Sequence, residues 1–173
     1  SWVKSAGGTG NDRGSSVNID IDGKVFVTGS FISSSLTIGS YTLTNSGTAT
    51  NDIFVAKYNN KGDFLWAINP SGAGDESANS ITTDYMGDIY LTGLYYSGKL
   101  IFGAKNLANP GLNEEIFVSK LFARDPAKVA TQPSGTVVKC PGEDVTFTMD
   151  ATGTPPLSYQ WMKDGVALSG KTD

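Results

Sequence analysis

The stretch Asn18-x-Asp20-x-Asp22-Gly23 carries oxygen-bearing side chains at the spacing that opens a calcium loop. Such a loop closes on an acidic side chain at its twelfth position, and that position here is Gly29. Val17, Ile19 and Ile21 alternate with polar residues through the same stretch, the period of a strand leading into a hairpin. Asp20 and Asp22 are therefore the chain's calcium candidates, with a structural turn as the favoured alternative, and no cofactor is expected. The densest carboxylate pairs are Asp75-Glu76 and Glu114-Glu115. Neighbours on a strand point to opposite faces, so neither pair flanks a scissile bond by itself, and both read as solvated loop. Serine and threonine are plentiful, but without histidine no obvious base activates one as a nucleophile. Gly7-Gly8-Thr9-Gly10 and Gly72-Ala73-Gly74 lack the Gly-Lys-Ser/Thr ending and the helix that a phosphate loop needs. Tyr85 and Tyr96 are candidates for stacking on a sugar ring. No catalytic residue is assigned, and the chain is not expected to be an enzyme.

Composition narrows the partners. The 173 residues carry 13 Lys plus Arg against 17 Asp plus Glu, a net charge of −4, with a pI near 4.7. Nucleic acid calls for a basic patch, so it is not an expected partner. No apolar run approaches the roughly 18 to 20 residues of a spanning helix. The single cysteine, Cys140, excludes an internal disulfide framework.

Whatever binds must be positioned by a duplicated unit. A shift of 64 residues lays Trp2 on Trp66, Gly8 on Gly72, Gly10 on Gly74, Asp20 on Asp84 and Gly23 on Gly87. It also lays residues 25–29 on 89–93, Phe31 on Tyr95, Leu36 on Leu100 and Leu43 on Leu107. After the loss of one residue, 52–57 lie on 115–120. Two copies thus occupy about 2–65 and 66–125, and Trp2 and Trp66 are structural positions. Each copy predicts four strands: one through Val17, Ile19 and Ile21, then 24–31, 53–58 and 64–68 in the first copy. A small extra hairpin is expected within 36–43. Helix is expected to be nearly absent.

Four antiparallel strands repeated in tandem are the pattern of propeller blades. The residues Trp-x5-Gly-Gly-x-Gly-Asn-Asp, Val-x-Ile-Asp-x-x-Gly-Lys-Val-Phe-Val-Thr-Gly-Ser-Phe and Asp-Ile-Phe-Val-Ala-Lys-Tyr resemble a bacterial β-propeller repeat family found in large secreted proteins. The resemblance covers about 125 residues. It implies an extracellular or surface-exposed protein without assigned chemistry.

Composition shifts after Asp125-Pro126, and 126–135 read as a linker or edge strand. Val145, Phe147 and Met149 alternate along one predicted strand, and Leu157, Tyr159 and Trp161 along another, before a turn at Lys163-Asp164-Gly165. Residues 141–147 with 157–165 resemble the first half of a bacterial immunoglobulin-like domain, spanning 136–173. In that fold a buried Trp packs across the sandwich, a role the resemblance gives to Trp161. Met149 stands where the resemblance would place a second-strand cysteine. Cys140 is left either as a small buried hydrophobe or as half of a disulfide to a residue outside the segment.

The expected fold is all-β: two four-stranded propeller-type blades, then half an immunoglobulin-like sandwich. Two blades cannot close a ring that takes about four to eight, so the chain is expected to be part of a longer one, which supplies its first partner. The expected role is a non-catalytic adhesion or display segment of a secreted or cell-surface bacterial protein. Its expected outside partners are an extracellular polysaccharide or a surface protein. The alternatives are accessory carbohydrate-binding modules of a secreted enzyme, or a self-assembling subunit completed by strands from neighbours.

Overall fold

A computed structural model describes residues 1–122, 128–131, 137–153 and 157–169. Its described residues are all-β, with no helix, and therefore no helix long and apolar enough to cross a membrane. The chain divides into two compact units, Ser1–Ala123 and Arg124–Asp173.

The first unit holds β1 (Ala6–Gly7), β2 (Asp12–Ile19), β3 (Val25–Phe31), β4 (Ser35–Ile38), β5 (Tyr41–Thr44), β6 (Asp52–Tyr58) and β7 (Phe64–Ile68). These are followed by β8 (Glu76–Thr83), β9 (Ile89–Tyr95), β10 (Lys99–Phe102), β11 (Lys105–Ala108) and β12 (Glu115–Leu121). Strands β2-β3-β6-β7 form one antiparallel sheet, and β8-β9-β12 form a second. Smaller antiparallel sheets, β1-β4-β5 and β10-β11, flank them. The extra hairpin expected within 36–43 is thus β4-β5, and its counterpart is β10-β11. The first sheet has the four strands expected. The second has three among the described residues, where four were expected.

Positions 64 apart behave alike in detail. The β2-β3 ladder slips between Gly14 and Ser16, and the β8-β9 ladder between Ala78 and Ser80. A bulge sets two residues of one strand against one of its partner and bends the strand, and glycine in a strand marks a close backbone approach. Gly29 and Gly93 sit at that crowding: a Cβ on either would lie 1.9 Å from a carbonyl oxygen, that of Arg13 or Ser77. The β2-β3 and β8-β9 turns also match. Asp20 Oδ1 accepts from the backbone N–H of Asp22 at 3.0 Å and of Lys24 at 2.9 Å. Asp84 Oδ1 accepts from Met86 at 2.9 Å and Asp88 at 3.0 Å.

Two apolar clusters fill the unit. Phe26, Ile53 and Val55 of the first sheet pack with Ala78, Ile81, Ile89, Leu91, Tyr95 and Phe117 of the second. Phe31, Phe54, Ala56 and Tyr58 pack with Leu36, Ile38 and Leu43 of the flanking hairpin. Between the sheets, Asn18 Nδ2 donates to Thr83 Oγ1 at 2.6 Å and the Glu76 N–H to the Asn51 carbonyl at 2.8 Å. Val17, Ile19 and Ile21 depart from the half-buried face their alternation predicts. All three are exposed, because β2 has no sheet over that side among the described residues.

In the second unit β13 (Lys128–Thr131) pairs with β14 (Asp150–Thr152), and β15 (Met162–Lys163) with β16 (Val166–Ala167). Strand β13 lies within the expected linker or edge strand, and Lys163-Asp164-Gly165 turns the chain as expected. The alternating stretches 145–149 and 157–161 are not strands. Val145 and Phe147 are exposed and Trp161 only half-buried. Alternation forms a strand only when a neighbour supplies the ladder and a second layer covers its apolar face, and no sandwich is formed by the described residues. Asp125-Pro126, residues 132–135 of the expected linker and residues 154–156 between the two alternating stretches lie outside the described residues.

Candidate functional site

A polar cleft of about 640 Å³ opens where β2 and β8 begin and β3 and β9 end. The first sheet contributes Asn11, Asp12, Arg13 and Asn51, and the second Asp75, Glu76, Tyr96 and Glu114. Its floor is tied across the sheets, for Asn51 donates from both its backbone N and its Nδ2 to Asp75 Oδ1, each at 2.9 Å. Tyr96 stands half-exposed at the rim, its hydroxyl donating to the Glu114 carboxylate. That hydrogen bond, more than burial, raises the Tyr96 hydroxyl above its ordinary value, so Tyr96 stays neutral. One aromatic ring, fixed in place and surrounded by carboxylates and amides, can stack on an apolar ring face while its neighbours accept hydroxyl hydrogens.

Beneath the cleft lies a network that occurs twice. Asp12 Oδ2 accepts from the Gly8 N–H at 2.7 Å and from Ser33 Oγ at 2.8 Å, and Ser33 Oγ accepts from the Gly10 N–H at 2.8 Å. In the second copy Glu76 accepts from the Gly72 N–H at 3.1 Å and from Ser97 Oγ, which accepts from the Gly74 N–H at 2.8 Å. The glycine-rich loops thus wrap a side-chain carboxylate. Gly72 is required by this closeness, because a Cβ there would lie 2.1 Å from Ser97 Oγ.

Glu76 corrects the solvated-loop reading of Asp75-Glu76. Its side chain is 1% exposed, while Asp75 is exposed. Burial, with the neighbouring Asp52 carboxylate, pushes Glu76 up to about 8. Burial also raises Asp52, although its Oδ2 accepts from the Ser46 N–H at 2.7 Å. Glu76 is therefore neutral at pH 7, which spares the buried site that carboxylate's charge.

The other sequence-derived positions are dispersed. Tyr85 is exposed at the β8-β9 turn and Tyr96 just beyond the far end of β9, so the two tyrosines lie at opposite ends of one hairpin. Tyr95, matched with Phe31, is buried as that match predicts. Asp20 Oδ1 accepts two backbone N–H groups, and Asp22 Oδ2 lies 3.2 Å from Lys24 Nζ. Among the described residues no three His, Cys, Asp or Glu side chains gather as for a metal ion. Trp2 donates to the Asn60 carbonyl at 3.3 Å and packs on Tyr58, while Trp66 packs on Phe26. Cys140 is exposed rather than a buried hydrophobe. Asp12, Ser33, Asp52 and Ser97 escaped the sequence reading. Their signal was present, since the 64-residue shift that aligns glycines also lays Asp12 on Glu76 and Ser33 on Ser97.

No family model matches this chain, and no curated protein matches it.

Proposed function

We propose that this chain is a non-catalytic binding and display segment of a secreted or cell-surface bacterial protein, and that it holds extracellular polysaccharide in the cleft at Tyr96. The carrying observation is the cleft itself, which has the size of a small-ligand site, about 300–1,000 Å³. It brings one anchored aromatic ring together with four carboxylates, two asparagines and one arginine. The acidic lining disfavours a phosphorylated or sulfated ligand and suits a neutral glycan. Binding rather than catalysis is supported by the state of Glu76. A neutral glutamic acid in a cleft could serve as a general acid, but this one is buried and spends its oxygens on Gly72 and Ser97. Its counterpart Asp12 has matching partners, which is the mark of a structural staple.

Titration of the full chain with a panel of neutral oligosaccharides, followed by NMR, tests the reading. Binding should perturb Tyr96 and Asn51, and Tyr96→Ala should weaken it about tenfold, the loss of one stacked ring. Tyr85→Ala should leave it unchanged. Absence of binding across the panel, or equal affinity in Tyr96→Ala, would overturn the proposal.

A further inference from the structure

The contact between the two main sheets is made once, yet each of its halves is present twice. The first sheet offers the second a face bearing Phe26, Ile53, Val55 and Lys57, all buried beneath it. The counterparts on the second sheet are Tyr90, Ile116, Val118 and Lys120. These are open: Val55 is 0% exposed but Val118 is 73%, and Ile53 is 0% but Ile116 is 77%. The opposite half behaves the same way. Ile81, which packs against the first sheet, is 4% exposed, while its counterpart Val17 on the first sheet is 62%. The first unit therefore carries an unused socket on its second sheet and an unused plug on its first, of the kind already joined within it.

We infer that the full chain associates head to tail, the Ile116–Val118 face of one copy receiving the Val17 face of the next. The occupant follows from the intramolecular contact, in which the equivalent pair of faces packs into one buried apolar cluster. Exposed valine and isoleucine in rows on a sheet face also mark interaction surfaces. Such a contact is heterologous: it uses two different patches, so it propagates into a ring or a filament rather than stopping at a two-fold dimer. It joins faces, leaving the edge of β12 out of the contact.

Analytical ultracentrifugation of the full chain over a concentration series reads this directly. The expected mass rises with concentration in multiples of 18.2 kDa. Val118→Lys removes the socket and Val17→Lys the plug, and each alone should weaken association at least tenfold. Mixing the two variants should restore a single contact, an intact plug meeting an intact socket, and give a dimer that grows no further. Should Val118→Lys misfold by circular dichroism, Ile116→Lys takes its place. A wild-type chain monomeric at every soluble concentration overturns the inference. Association that persists in both single variants, as joining at strand edges would give, also overturns it. So does a mixture that fails to pair.

Discussion

Burial and the adjacent Asp52 carboxylate keep a proton on Glu76 at neutral pH, whereas in the unfolded chain the same group loses it near 4.5. Between about 4.5 and about 8 the folded state therefore holds more protons than the unfolded one. Stability is fully present at the acidic end of that window and declines as pH rises through it, by at most about 1.4 kcal/mol per pH unit for one group. Asp52, also raised, acts in the same direction. Urea denaturation should give a higher midpoint near pH 5 than near pH 8, and Glu76→Gln should flatten that slope. An equal slope in the variant would place the proton elsewhere. Ser97 donates to Glu76 and accepts from Gly74. Ser97→Ala leaves both groups short of a partner, a loss of about 1–3 kcal/mol in the same assay.

Among the elements, the two main hairpins depend on one aspartate each. Asp20 and Asp84 cap their turns through two backbone N–H groups apiece, while Asp22 reaches only the partly exposed Lys24. Asp84→Ala should lower the urea midpoint clearly, whereas Asp22→Ala should leave it nearly unchanged. This division explains why the 64-residue match keeps Asp84 but puts Met86 where Asp22 stands. The strands of the first sheet were legible because local signals agreed: β7 is the expected 64–68, and β3 and β6 fall within a residue of expectation. The depth of Glu76 was not legible. Adjacent acidic residues signal solvent, and only the packing of one sheet on the other reveals that this one is covered. The exposure of Val17 was hidden for the converse reason, since alternation tells which residues share a face and not whether anything lies against it.

Across the molecule, the fully buried side chains among the described residues are confined to the first unit. None of the described residues from Lys128 onward is fully buried, and Val138, Phe147, Met162 and Val166 are exposed. Local opening costs least where few apolar groups are covered. Hydrogen exchange should therefore protect the amides of β3 and β6 most strongly and release those of β14 to β16 first. Limited proteolysis should follow, trimming the second unit while a fragment near Ser1–Ala123 persists. Cleavage first inside the β2-β3-β6-β7 sheet would contradict this order.

The twin glycine–carboxylate–serine staples make the chain its own control experiment. Asp12 and Glu76 share a local fold and a matching set of partners, yet Glu76 is buried under a neighbouring sheet and Asp12 only partly covered. Any difference in the stability lost on truncating one staple or the other measures what a covering layer adds to a network whose glycine and serine partners are alike. Comparisons of that kind ordinarily require two proteins.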